Sequence, residues 1–324
     1  MAYETGAATT PDGLLDALRL FAIAQGWTVN RWQSQTGGYW LNISKGTQFV
    51  NIVSDSTQSI NSGGDITIRG ATGYDSGQPV TDQPGGRTGT YRSVVNDLRS
   101  GAYVAHHFFA EDQYIHCVVE VQSGRYTHFG FGILEKSGTY VGGEYHFGHR
   151  HYLDRASISG DGKTSSHTYP FSTGTIGTFV RFTENDLDET YLTSVANWAY
   201  FSSSVRSTNS YFTAVSWVPQ TTNDTSNSST VWGTGIHRQP NYFNGTSMLI
   251  PFTVACGRRY GLTAILGAPK DIAYINIQNI PVGQEITLGS DTWMTFPFKQ
   301  KGVAIPGSTT PFSWYHGIAY RKIV

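Results

Sequence analysis

Imidazole is the side chain best placed to do chemistry in this sequence, and it is concentrated. Residues 144–152 read EYHFGHRHY and place His146, His149 and His151 within six positions. Histidines at this density can hold a transition metal, act as acid and base, or serve as hydrogen-bonding aromatics in a strand. On a regular strand His149 and His151 share a face and His146 points to the other. All three converge only if Gly148 marks a bulge. An earlier THFGFG (127–132) echoes YHFGHR (145–150), and a turn at Lys136-Ser137-Gly138 would join the two as a hairpin. That hairpin sets His128 beside His146. The candidate ligands for zinc, iron, nickel or copper are therefore His128, His146, His149 and His151. Arg150 lies inside the motif and repels a cation, and Glu144 is its one carboxylate. The favoured reading is that these histidines are hydrogen-bonded polar aromatics in a sheet or an interface. A metal within one chain, or one shared on a symmetry axis, is the competing reading.

The other motifs carry less. His106-His107 precede Phe108-Phe109, and neighbours on a strand point to opposite faces, so the two histidines cannot enter one site. SGDGKTS (159–165) is similar to a phosphate-binding loop, but Ser157 stands where that loop needs its first glycine and no apolar helix follows. It reads as a hairpin loop. Asp154, Asp161, Glu184 and Asp186 sit in turn-like contexts and do not specify a pair for glycoside hydrolysis. No G-x-S-x-G, H-E-x-x-H or paired-cysteine motif occurs. The reading is not an enzyme, with no cofactor expected beyond the candidate metal. A polysaccharide-acting enzyme is the least favoured alternative. Trp198, Tyr200, Trp217, Trp232, Tyr242 and Phe243 could stack on a sugar. A place in the core or between subunits is preferred for them.

The elements that must position these residues are mostly strands. Charged residues make up 14% of the chain, against about 25% in an average domain, and there are 37 glycines. Short strands joined by tight turns need that composition, whereas long surface helices need more Glu and Lys. One helix is signalled, between a Thr10 cap with Pro11 behind it and Gly26. Leu14, Leu18, Phe21 and Gln25 form its stripe, flanked by Leu15 and Ala22, and Trp27 packs back onto it. Strands follow at 39–46, 47–55 and 65–74. The Pro- and Gly-rich loop 76–92 is expected to be an arm or a contact surface. Strands dominate 101–182, a turn of helix is expected within 184–200, and 220–230 is a polar loop. The predicted class is mainly β, antiparallel and sandwich-like, with one N-terminal helix packed on a sheet. The predicted division is a helix-plus-hairpin domain, 1–98, and a β-sandwich-like domain, 99–324.

A formal net charge of -1 gives no basic signature for nucleic acid. No run approaches the ~18 apolar residues of a membrane span, and MAYETGAATT lacks the basic start of a secretion signal. Cys117 and Cys256, both in apolar strand-like runs, are expected as buried free thiols.

RYTHFGFGILEKSGTYVGGEYHFG (125–148) resembles a recurrent segment of structural proteins of tailed bacteriophages. There a strand ending in similar residues leads through a short turn with Lys and Gly to a G-G-x-Y return strand. ETGAATTPDGLLDALRLFAIAQGW resembles the opening of such proteins, and SWYHGIAYRKIV their ends. The stretch 149–310 carries no such likeness. The resemblance implies a virion component, made in the bacterial host cytoplasm, that forms a symmetric oligomer in the tail, baseplate or neck. Its partners would be copies of itself and other virion proteins. Capsid decoration, or a module binding a host surface glycan or receptor, is the alternative. The resemblance implies no catalytic residues.

Overall fold

Local chemistry starts and stops the helix. Thr10 is extended, and its hydroxyl accepts the N–H of Gly13 at 3.0 Å. Pro11 fills the first position of α1 (Pro11–Ala24). Gly26, at φ 78°, turns the chain after it. The Trp27 N–H then donates back to the Ala22 carbonyl at 2.9 Å, and its ring is buried. Leu14, Leu15, Leu18 and Phe21 form the covered stripe. Each contributes about 1.5–3 kcal/mol by leaving water.

A computed structural model describes residues 2–55, 65–86, 92–95, 98, 102–149, 170–171, 177–183, 198–200, 214–216, 247–257, 263–302 and 315–323. Strand β1 (Ala2–Gly6) precedes the helix. After it come β2 (Thr28–Gln35), β3 (Gly38–Lys45), β4 (Gln48–Ser54), β5 (Ile66–Ala71) and β6 (Ser93–Val95). The middle of the chain gives β7 (Ala105–Glu111), β8 (Tyr114–Gln122), β9 (Arg125–Lys136), β10 (Val141–Gly148), β11 (Thr178–Thr183), β12 (Trp198–Tyr200) and β13 (Ala214–Ser216). The last part gives β14 (Ile250–Pro251), β15 (Val254–Gly257), β16 (Thr263–Pro269), β17 (Ile272–Asn276), β18 (Glu285–Leu288), β19 (Asp291–Pro297) and β20 (His316–Lys322).

These strands make three antiparallel sheets. The N-terminal sheet runs β2-β3-β4-β5-β6. The central sheet runs β1-β7-β8-β9-β10-β11-β12, with β16, β15 and β13 joined through the far end of β9. The C-terminal sheet runs β14-β17-β20-β19-β18. The protein is thus mainly β, antiparallel and sandwich-like, with one helix near its N-terminus, as composition and periodicity predict.

Alternation along β8 shows why three layers form. Tyr114, His116 and Val118 point one way, Ile115, Cys117 and Val119 the other, and all six are buried. Ile115, Cys117 and Val119, with Phe129 and Phe131 of β9, pack on α1 and on Leu41, Ile43, Ile52 and Ile68 of the N-terminal sheet. Val118, with Phe109, Tyr145 and Phe147, packs on Phe296, Ile318 and Tyr320 of the C-terminal sheet. The central sheet is therefore covered on both faces. The helix-side core also unites side chains from before and after residue 98.

The loop 76–92, expected to be an arm or a contact surface, folds back on itself over its described part. Gln83 is buried; its amide donates to the carbonyls of Asp75, Gln78 and Pro79, and its oxygen accepts the Asp75 N–H. Arg31 donates to the carbonyls of Gln78 (2.9 Å) and Ser76 (2.7 Å) from outside, and Val80 is buried. Of the stretch 184–200, in which a turn of helix is expected, 198–200 is strand β12, and residues 184–197 lie outside the described residues. Among the described residues no helix is long and apolar enough to cross a membrane.

Candidate functional site

The β9–β10 register decides the fate of the histidines. His146 lies opposite Phe131, and Gly148 opposite Phe129. Position 149 thus falls beside His128, and the two ring centroids are 5.9 Å apart. The expected neighbour, His146, is on the other face. The tight turn at 136–138 would have paired residues three positions differently. It does not form, because Leu134, Glu135 and Lys136 leave β10 and pair with β16. The proposed ligand set is split by the sheet: His128 faces the C-terminal sheet and His146 the N-terminal one. His151 and Arg150 lie outside the described residues.

His128 is fully buried. Its Nε2 lies 2.9 Å from the Pro297 carbonyl, and its Nδ1 lies 2.9 Å from the Tyr320 hydroxyl. A carbonyl only accepts, so Nε2 carries the proton and Nδ1 accepts from Tyr320. Both nitrogens are occupied, which leaves no lone pair for a metal. Burial pushes its pKa down to about 4, against a smaller upward pull from the backbone.

His146 is fixed by a different logic. Its Nδ1 lies 2.7 Å from Ser93 Oγ, and that hydroxyl donates to the Gly177 carbonyl at 2.6 Å. Serine has one proton to give, so His146 Nδ1–H is the donor of the first bond. The ring stacks on Phe179 at 5.1 Å, with Trp198 beside it. Burial, with a contribution from Arg69, lowers its pKa to about 3.

Histidines elsewhere complete the layer between the central and C-terminal sheets. His107 Nδ1 meets the Tyr3 hydroxyl at 2.9 Å, and His116 Nε2 meets the Tyr145 hydroxyl at 2.7 Å. Tyr274 pairs with His316 in the C-terminal sheet. With His128–Tyr320, these make a series of imidazole–phenol pairs on facing surfaces. Burial lowers the pKa of His107 and His116 to about 4 and about 3. His116 also stacks on Tyr114 at 4.3 Å, and its Nδ1 is buried with no partner among the described residues. Of the His106-His107 doublet, His107 joins this layer; His106 points the other way, its ring stacked on Phe108. At the rim, Tyr114 donates to Asp271 at 2.8 Å, and Arg321 links Asp271 (3.2 Å) to Asp291 (2.7 Å).

The glycines of HFGFG make room for these rings. A Cβ at Gly130 would lie 2.9 Å from the Phe147 ring and 3.0 Å from His116. At Gly132 it would lie 2.8 Å from the Tyr145 hydroxyl and 2.6 Å from Tyr114 Cβ. The glycine of the second triplet, Gly148, faces the other way, and its Cβ would meet the Val94 backbone at 2.5 Å. HFG is therefore a packing unit: a polar aromatic, a core aromatic, and a space that another element fills.

Among the described residues no three of His, Cys, Asp and Glu converge as metal ligands. Cys117 is a buried free thiol whose pKa burial raises, which suits packing and not nucleophilic attack. Trp198 is buried, lies over Gly70 and donates to the Gly85 carbonyl at 3.2 Å, so it is no sugar platform. The side chains of Tyr200 and Cys256, and Trp217, Trp232, Tyr242, Phe243, Asp154, Asp161, Glu184, Asp186 and SGDGKTS, lie outside the described residues. The sequence reading passed over His116, His316, Tyr3, Tyr145, Tyr274 and Tyr320. Their signal was present as alternation, in runs such as His116–Val118 and His316–Ile318–Tyr320, where histidine takes a core position. What this arrangement does chemically is satisfy polar aromatic groups in a dry layer: the His128 bonds to Tyr320 and Pro297 tie the central sheet to the C-terminal one, and the other pairs brace strands within a sheet. No protein-family model matches the chain, and no curated protein matches it.

Proposed function

We propose that the chain is a structural subunit that assembles with copies of itself, of the kind found in the tail, baseplate or neck of a tailed bacteriophage. The observation that supports this reading most is the use made of the polar aromatic side chains. His107, His116, His128 and His316 each spend a ring nitrogen on a tyrosine hydroxyl inside the protein. Groups that in an enzyme would face a substrate are here used up in internal bonds: His128 ties the central sheet to the C-terminal one, and the other three pairs brace strands within a sheet. A rigid, low-charge β-body suits a part that must hold its shape against neighbours. The resemblance of 125–148 and of both chain ends to virion proteins supports the same reading.

The test is sedimentation velocity of the full chain at micromolar concentrations, followed by electron microscopy of whatever particle forms. A defined ring or other closed oligomer is expected. A monomer at every concentration up to 100 micromolar would overturn the reading.

A further inference from the structure

We infer that the β2 edge of the N-terminal sheet is a self-association surface, on which a second copy of this chain adds its own β2 antiparallel across a two-fold axis at Gln33. The inference rests on the self-assembly reading above and says where one contact lies.

The edges of the described sheets are not alike. β6, β12 and β13 have three residues each, and β14 has two, one of them Pro251. β18 has four and is tied down by the Glu285–Lys322 ion pair. β1 has five and carries Lys322 over the Tyr3 ring. β2 has eight residues, TVNRWQSQ, without lysine or proline. Short length, lysine and proline are the devices that keep sheet edges from pairing. β2 carries one such device, a bulge between Val29 and Arg31. Past that bulge the strand is regular from Arg31 to Gln35, and Gln33 and Ser34 are exposed.

Backbone alternation says which groups point out. Gln35 and Gly38 flank the two-residue turn between β2 and β3, so they exchange backbone bonds. Arg31 and Gln33 then also bond to β3, and Trp32 and Ser34 direct their N–H and C=O groups away from the sheet. An antiparallel copy centred on Gln33 sets Trp32 opposite the second copy's Ser34 position, so that all these outward groups find partners. In the same register Arg31 faces the neutral Gln35 position. The two Arg31 side chains stand four steps apart, ~14 Å along the strands, and no like charges are opposed.

The helix side of this edge is apolar and only half-buried. Trp32 stacks on Tyr39 at 4.5 Å, and Arg19 lies over Trp32 at 5.1 Å, its charge paired with Asp16. Beside them the outer face of α1 leaves Leu20 54% and Ile23 47% exposed. A two-fold axis normal to the sheet keeps both copies of α1 on one face, so these stacks and Ile23 side chains line the same groove. Self-complementarity of hydrogen bonds, charge and apolar surface singles out a second copy as the occupant.

The test uses the full chain and two variants. Ser34→Pro removes an outward N–H that no strand of the same chain uses, so folding should survive while pairing fails. At least a tenfold weaker association, with an unchanged circular dichroism spectrum, is expected by sedimentation. Gln33→Cys places a thiol on the axis, in a non-hydrogen-bonded pair whose spacing of about 4.5 Å suits a disulfide. Mild oxidation should give a covalent dimer well above that of wild type, whose own thiols set the background, and above Ser290→Cys. An assembling wild type whose mass survives Ser34→Pro, or no excess cross-link from Gln33→Cys, overturns this inference alone. A wild type that never associates overturns the self-assembly reading with it.

Discussion

The two layers on either side of the central sheet are built from different materials. Toward α1 and the N-terminal sheet the contacts are those of Leu14, Leu18, Leu41, Ile43, Ile52 and Ile68 against Phe108, Phe129 and Phe131. Toward the C-terminal sheet they are aromatic and polar: His107, His116, His128 and Tyr145 against Tyr320, Phe296 and the Pro297 carbonyl. The aliphatic layer is held by area leaving water, which is nondirectional and tolerates small shifts. The aromatic layer adds the His128 bonds to Tyr320 and the Pro297 carbonyl, which cross between the sheets and are satisfied in one register only. It also ties stability to protonation, because a neutral imidazole is part of each contact.

The largest expected effect exposes that difference. In the unfolded chain histidine titrates near its ordinary 6.5, whereas His107, His116 and His128 titrate at about 4, about 3 and about 4 in the fold. Below pH 6.5 the unfolded chain therefore binds protons that the folded chain refuses. The contribution of these groups is intact above pH 6.5 and is lost progressively as pH falls toward 4. Each should steepen the decline by up to roughly 1.4 kcal/mol per pH unit. Urea midpoints measured from pH 7.5 to 5 should fall steadily. Hydrogen exchange at pH 5 should show β17, β19 and β20 losing protection before β3 and β4. His146, its pKa lowered to about 3 on the N-terminal side, adds to the urea profile, so it is equal loss of protection in β3 and β4 that would break the contrast between the layers.

Leu18→Asp comes next. Leu18 is fully buried on the α1 stripe, and an unpaired carboxylate there should cost about 3 kcal/mol or more. Urea denaturation at pH 7.5 measures it. A wild-type midpoint would mean that the helix contributes nothing to the aliphatic layer.

Gly132→Ala probes the other layer at smaller cost. The added methyl meets the Tyr145 hydroxyl and Tyr114 Cβ. About 1–3 kcal/mol should be lost, accompanied by a change in near-ultraviolet circular dichroism from the displaced rings. Loss of stability without that spectral change would place the clash elsewhere.

The smallest expected effect is none at all. His128 has both nitrogens bonded within the chain and faces away from His146. Chelator should leave the melting temperature unchanged, and elemental mass spectrometry should find no stoichiometric metal. An ion held by His128 would require its Tyr320 or Pro297 bond to give way.

The sequence by itself determined the features whose causes are local. The Thr10-Pro11 start, the Gly26 stop and the buried stripe of α1 depend on neighbours within a few residues, and they lie where the pattern puts them. The opposite facing of His146 and His149 follows from strand parity alone. β2 was not legible, because its polar edge sequence TVNRWQSQ shows no buried alternation. Tertiary structure alone decided which residue faces which. His128 meets His149 and not His146 because the end of β9 leaves its hairpin for β16, a strand more than 120 positions further along the chain. The tyrosines that complete the histidines also lie beyond any local pattern, from 29 positions away for His116 and Tyr145 to 192 for His128 and Tyr320. Periodicity reports which face a side chain takes. Register and sheet packing report its partner, and here the partner sets whether an imidazole binds metal, titrates or simply holds two sheets together.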